Sequence, residues 1–168
     1  MAERSFEQSI VIEVAPEVVH AFLADLHRHR DLHPLIERIE DLPLDPRRPA
    51  VRSYRVTDRM RLGPLSFRIS YLAELTSLPP DEIAAAAWQT PRIEVRTRYH
   101  VAPASGGGTD LRERVLMKAP LLLIAYVHRQ AEAAHRETLA KLKILLEDGS
   151  ARAVAAAREH REQRNSRA

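Results

Sequence analysis

Ser9-Ile10-Val11-Ile12-Glu13-Val14 alternates side-chain polarity and then gives way to Ala15-Pro16-Glu17. Period-two alternation marks a strand with one buried face. Proline fits the first position of a helix, where its missing N–H is no loss. Val18, Val19, Phe22, Leu23 and Leu26 then recur at helical spacing. A second helical piece, 26–32, is rich in Arg and His and must stop before Pro34, which disfavours helix in the residue preceding it. The expected opening is a strand over 6–14, two short helices, and a second strand over 35–42.

Further strands follow after the rigid loop carrying Pro43, Pro46 and Pro49. Tyr54, Val56 and Met60 share one side of a third strand. Leu65, Phe67, Ile69, Tyr71 and Leu75 do so in a fourth, and Ile93, Val95, Thr97, Tyr99 and Val101 in a sixth. Such patterning belongs to an antiparallel sheet with one wet face. The fifth strand, 82–89, contains Ala84 to Ala87, which either leave open space or make room for a packed helix. The seventh, 109–118, puts Leu111, Val115 and Met117 inward with Glu113 in the same phase. Glu113 needs a partner, since burying an unpaired carboxylate is costly. Asp58 has the same inward phase on the third strand, and both acids are expected at a wet rim.

A last amphipathic helix is expected from Pro120 to Gly149, with Ile124, Ala125, His128, Ala131, His135, Leu139, Leu142 and Leu146 on one stripe that begins at Leu121. A succession of strands closed by one long helix tends to wrap a curved sheet around that helix and leave a hollow between them. Residues 1–148 therefore read as one domain. The Ala- and Arg-rich segment 149–168 reads as a tail, frayed or disordered.

At 168 residues the chain is long enough for a real core. Its aromatic fraction of 5% leaves few large side chains to fill a wide interior. There is no cysteine, which excludes disulfides, thiolate metal sites and a Cys nucleophile. The N-terminus lacks a secretory pattern, and the longest apolar run, 119–127, falls far short of the roughly 20 residues that span a bilayer. A cytoplasmic protein is the expectation. The net charge of +3 comes with 26 basic and 23 acidic residues, and only Lys118, Lys141 and Lys143 are lysines. No basic patch with interleaved aromatics points to nucleic acid. The outward arginines Arg55, Arg59, Arg68, Arg96 and Arg98 offer at most a weak contact with an acidic membrane surface or partner.

The segment 10–17, then Val19, Phe22 and Leu26, the turn His33-Pro34-Leu35-Ile36, the run Gly108-Thr109-Asp110-Leu111 and the long last helix together resemble the START-like, or SRPBCC, superfamily. That superfamily includes Bet v1-like helix-grip proteins and polyketide cyclase/dehydrase-like domains. The resemblance covers roughly residues 5–148. It implies an α+β helix-grip fold, in which a seven-stranded antiparallel sheet wraps around the C-terminal helix and two short helices close one end. It also implies an apolar ligand held between sheet and helix. It carries over no catalytic constellation, because a shared fold hosts many functions.

Metal and catalytic patterns are weak. His29 and His33 stand at i and i+4, but Pro34 follows and Arg28 and Arg30 flank them. Glu17…His20 and Glu132…His135 have the Glu-x-x-His spacing of di-iron bundles without the companion glutamates. No metal or cofactor is expected. The Gly106-Gly107-Gly108 run is a hairpin link rather than a phosphate loop, and no Gly-x-Ser-x-Gly elbow occurs.

The expected function is binding of a small hydrophobic molecule, such as a lipid, fatty acyl or polyketide-like compound. Phe67, Ile69, Tyr71, Trp88, Val95, Tyr99 and Met117 are the expected wall, and His128 and His135 the polar groups on the helix. The alternative is a polyketide cyclase, aromatase or dehydratase in which His128, His135 or Glu113 moves a proton. A third reading, a protein-interaction module, predicts a filled interior. The strand-five parity of Trp88 is ambiguous among its alanine neighbours.

Overall fold

The computed structural model describes residues 1–30, 32–62, 64–78 and 81–165. Ten elements follow in order: β1 (Ala2–Ile12), α1 (Pro16–Leu23), α2 (Leu26–His29), β2 (Ile36–Asp41), β3 (Val51–Leu62), β4 (Leu65–Leu78), β5 (Glu82–Gln89), β6 (Ile93–Pro103), β7 (Thr109–Ala119) and α3 (Ile124–Asn165). The strands form one antiparallel sheet in the order β1-β7-β6-β5-β4-β3-β2. The sheet grips α3, and α1 and α2 lie between β1 and β2 in the chain. This is the helix-grip α+β fold.

The passage from β1 into α1 explains two of the residues singled out above. Gly108 adopts a positive φ of 78°, and a side chain there would collide with the backbone carbonyl of Ile12. The fully buried Thr109 hydroxyl then donates to the Val14 carbonyl at 2.7 Å. The chain can therefore turn from β1 into α1 without orphaning that carbonyl. Pro16 begins α1 as the sequence predicts, and the Asp25 side chain caps α2 by accepting from the His27 N–H at 3.1 Å.

Four boundaries differ from expectation. β1 begins at Ala2, because Ala2 to Ser5 pair with Ala119 to Leu116 and gain ladder bonds despite their polar sequence. α2 ends at His29 rather than at 32. α3 starts at Ile124, after a turn over 121–123 that leaves Leu121 75% exposed and off the buried stripe. The helix also passes through Gly149 to Asn165, so Gly149 is no cap. Helical glycine costs only about 1 kcal/mol against alanine, and the Ala- and Arg-rich segment beyond is made of good helix formers. Residues 166–168 of the tail lie outside the described residues.

Two buried clusters fix α3 on the sheet. Leu139 and Leu142 pack with Ile12, Val19, Leu23, Ile83, Val101 and Leu111, while Ile124 packs with Val115, Met117 and Ala119. Near the first cluster, Lys143 Nζ donates to the Val11 carbonyl at 2.7 Å and to Glu147 Oε1 at 2.6 Å. The same Glu147 oxygen accepts from the Glu13 N–H at 2.8 Å. Between these anchorages α3 meets β1 and β7, where His135 bonds Glu113, but stands off β3 to β6, and that gap is the site.

Candidate functional site

A chamber of about 430 Å³ lies between the concave sheet face and the middle of α3. Its sheet wall comes from β3 to β6: Val56 and Met60, then Phe67, Ile69, Tyr71 and Ala73, then Ala85 and Ala87, then Ile93, Val95, Thr97 and Tyr99. Its helix wall comes from Leu123, Tyr126, Val127, Ala131, Ala134 and His135, and His29, His33, Leu35 and Ile36 close one end. The strand registry accounts for the sheet wall. Val56 faces Tyr71, Met60 faces Phe67, Ala73 faces Ala87, and Ala87 faces Val95, all in the inward phase.

Six of the expected residues, Phe67, Ile69, Tyr71, Val95, Tyr99 and His135, lie on this wall. Three do not. Trp88 pairs with Leu72 and Glu94 and is 36% exposed, on the outer face. The four alanines had hidden its parity. Met117 is in the inward phase but fully buried, because α3 covers it through Ile124. His128 sits edge-on to the Phe6 ring at 5.8 Å, with Nδ1 3.8 Å from Glu132, and is also off the wall. Sequence reasoning also missed wall residues. The packing of α2 brings His29 and His33 to the chamber, and no local pattern announces that.

Neither Glu113 nor Asp58 is at a wet rim; they are 2% and 6% exposed. Glu113 stands behind the chamber wall and is richly partnered. It accepts from His135 Nδ1 at 2.6 Å and from Gln8 Nε2, and Tyr99 also bonds to it. Burial pushes its carboxyl upward, but His135, Gln8 and Tyr99 together outweigh burial and hold it below the ordinary carboxylate range. Burial first, and the Glu113 carboxylate second, raise the Tyr99 phenol well above its usual value. With Nδ1 of His135 taken by Glu113, Nε2 is the ring nitrogen left for a guest.

Asp58 has a single donor, Tyr71 Oη at 3.2 Å from Oδ2. Its Oδ1 is buried with no hydrogen-bond partner. Burial, only partly opposed by Tyr71, raises its carboxyl to about 6. The two histidines at the closed end are kept neutral. Burial lowers His29 to about 4, and its Nε2 bonds the Leu23 carbonyl at 3.1 Å. Burial, with His135 next in weight, lowers His33 to about 3. Their rings do not converge on an ion. Among the described residues, no group of three or more His, Cys, Asp or Glu side chains is arranged to hold a metal.

The outer arginines are paired. Arg59 and Arg68 share Glu37 at 2.5 and 2.6 Å, Arg96 pairs with Glu94, Arg98 with Glu82, and Arg55 with Glu40 at 3.8 Å. The five arginines share four carboxylates, so they form a cross-paired solvated face that keeps a small positive excess. Among the described residues no helix is long and apolar enough to cross a membrane.

Solved structures share this architecture. The chain superposes on the di-domain ARO/CYC StfQ from the steffimycin biosynthetic pathway with a TM-score of 0.71 at 15% identity. That match covers 89% of this chain but only 52% of the other, so the chain spans about half of that relative's length. The Zhui aromatase/cyclase from Streptomyces sp. R1128 gives 0.66 at 17% identity, covering 92% and 98%. A START superfamily protein from Mycobacterium smegmatis gives 0.62 at 17%, covering 86% and 94%. At these identities the likeness establishes the helix-grip fold alone. No curated protein sequence matches the chain significantly. The chain belongs to the family described as "Domain of unknown function (DUF7053)", whose model matches residues 9–147.

Proposed function

We propose that this protein binds a small, largely apolar molecule in the chamber between sheet and α3, as a carrier or a sequestering protein. The observation that carries the reading is the chamber itself. Its volume of about 430 Å³ falls within the roughly 300–1,000 Å³ usual for small-molecule sites. Aliphatic and aromatic side chains dominate its wall, so affinity would rest on apolar burial of about 25 cal/mol per Å². Lipid-like and polyketide-like compounds fit that chemistry, with residues 1–148 as the binding unit, 149–168 as an appended tail, and a cytoplasmic setting. A filled interior, expected of a pure protein-interaction module, is not what the wall outlines.

The Glu113–His135 pair favours a second reading, a cyclase or dehydratase. A carboxylate that holds Nδ1 of an imidazole on a chamber wall orients the ring and supports a proton transfer at Nε2. Several proteins of the same fold are named as aromatase/cyclases. One experiment addresses both readings: native mass spectrometry of the protein purified from its host, followed by incubation of the recovered guest with wild-type protein and His135→Ala. An unchanged guest supports carriage. Conversion that is lost in His135→Ala supports catalysis. A protein that retains no guest, and binds no neutral apolar fluorophore, counts against both.

A further inference from the structure

Resting on the reading of the chamber as a ligand site, we infer that Asp58 receives a protonated amine, so the guest is an apolar body carrying one ammonium group. Asp58 projects from β3 in the inward phase, opposite Ile69 on β4 and Ile36 on β2. It is 94% buried by its 6% exposure, and its Oδ1 is the one buried side-chain oxygen or nitrogen without a hydrogen-bond partner among the described residues. The other oxygen has only the Tyr71 hydroxyl.

The two arginines beside Asp58 in the sheet register, Arg59 and Arg68, are committed elsewhere. The β2–β3 register shifts between Ile36 and Arg38, next to Asp58, and the residue skipped, Glu37, lies on the outer side. There it takes both Arg59 and Arg68. No Lys or Arg is on the chamber wall among the described residues. The remaining acids are already paired: Glu74 on the wall is held by both ends of the Arg48 guanidinium at 2.9 and 2.8 Å, and Glu113 by His135. Asp58 is thus the carboxylate of the chamber that lacks a positive partner.

Guest chemistry follows from what this vacancy requires. A neutral alcohol satisfies the lone pair of Oδ1 but leaves the charge uncompensated. An ammonium group supplies both a donor and the counter-charge, in the stronger, charge-assisted kind of hydrogen bond. A carboxylate guest adds a second negative charge to a chamber without a cation. Burial raises Asp58 only to about 6, so it is ionised at neutral pH and able to form the ion pair. Among the other titratable groups on the chamber wall, His29 and His33 are uncharged, Tyr71 and Tyr99 are raised well above the usual phenol range with burial the main cause, Glu74 is held by Arg48, and His135 is bonded to Glu113.

The test uses three probes of equal chain length, decylamine, decanol and decanoate, each displacing the neutral fluorophore N-phenyl-1-naphthylamine at about pH 8, where Asp58 is ionised. The expected result is displacement by the amine at concentrations about ten-fold lower than by the alcohol, the size of one charge-assisted hydrogen bond, with decanoate weakest. Asp58→Asn should still bind the fluorophore but treat amine and alcohol alike. An amine no better than the alcohol, or a preference that survives Asp58→Asn, overturns the inference and leaves the chamber reading standing. Failure of the fluorophore to bind wild-type protein overturns the chamber reading, and the inference with it. Should Asp58→Asn not fold, the wild-type pH profile decides. Amine affinity should drop as pH falls through about 6 while alcohol affinity holds, and an amine affinity that does not move overturns the inference.

Discussion

Glu113 on β7 and Asp58 on β3 have the same chemistry, the same inward phase and nearly the same burial, yet they behave oppositely. Glu113 has His135, Gln8 and Tyr99 around it and is held below the usual carboxylate range, against the pull of burial. Asp58 has only Tyr71 and is raised to about 6 by burial. Desolvation is the largest single influence on both. What separates them is the number of donors that the surrounding elements supply. Glu113 lies where β1, β6, β7 and α3 meet, whereas Asp58 faces the gap. The closed side of the molecule satisfies its acid, and the open side leaves one oxygen of its acid unsatisfied.

The largest test of this contrast is Glu113→Ala. Removing one partner of a buried, hydrogen-bonded pair strands the others, and should lower unfolding free energy by about 3–5 kcal/mol, read from urea melts. A loss as small as that of a surface substitution would show that Glu113 is not held as described.

Next comes acid sensitivity. The folded His29 value of about 4 lies below its ordinary 6.5. Its contribution is therefore fully present above about 6.5 and is lost as pH falls through about 4, a change of roughly 3 kcal/mol. His33 acts in the same direction. Asp58 acts in the opposite one: its folded value of about 6 exceeds the ordinary 3.8, so its contribution is present below about 4 and lost as pH rises through 6. Stability measured from pH 6.5 down to 4 should fall, and fall less in His29→Gln. A flat wild-type profile would remove the case for neutral buried histidines.

The smallest effect is also the most diagnostic. Asp58→Asn should stabilise the guest-free protein by up to about 3 kcal/mol near pH 8, the free energy of its shift from 3.8 to about 6, and by nothing near pH 4, where Asp58 is already protonated. Destabilisation at both pH values would make Asp58 a structural acid like Glu113.

Much of this was legible in the sequence because β3, β4, β6 and β7 alternate clearly. Phe67, Ile69, Tyr71, Val95 and Tyr99 reach the wall simply by phase, and the same phase placed Glu113 and Asp58 inward. Phase does not carry partner count. Gln8 reaches Glu113 across 105 residues of chain, and only the β1–β7 register brings them together. Trp88 was misplaced because four neighbouring alanines erase the contrast on which parity depends. Met117 was misplaced because inward phase does not distinguish a residue covered by Ile124 from one facing open space. His29 and His33 were legible only as a spacing, since their burial is a product of how α1 and α2 pack.

The alanines deserve a last consequence. Ala85 and Ala87 on β5, and Ala131 and Ala134 on α3, all border the chamber, and α3 is anchored on either side of them. The calibre of the void is thus set in part by these methyl groups on a frame anchored elsewhere. A single exchange of one of them for leucine or valine would reshape the outline of an accepted molecule while leaving both anchorages intact. Under the proposed reading, guest preference in this architecture can therefore drift one codon at a time, without renegotiating the scaffold.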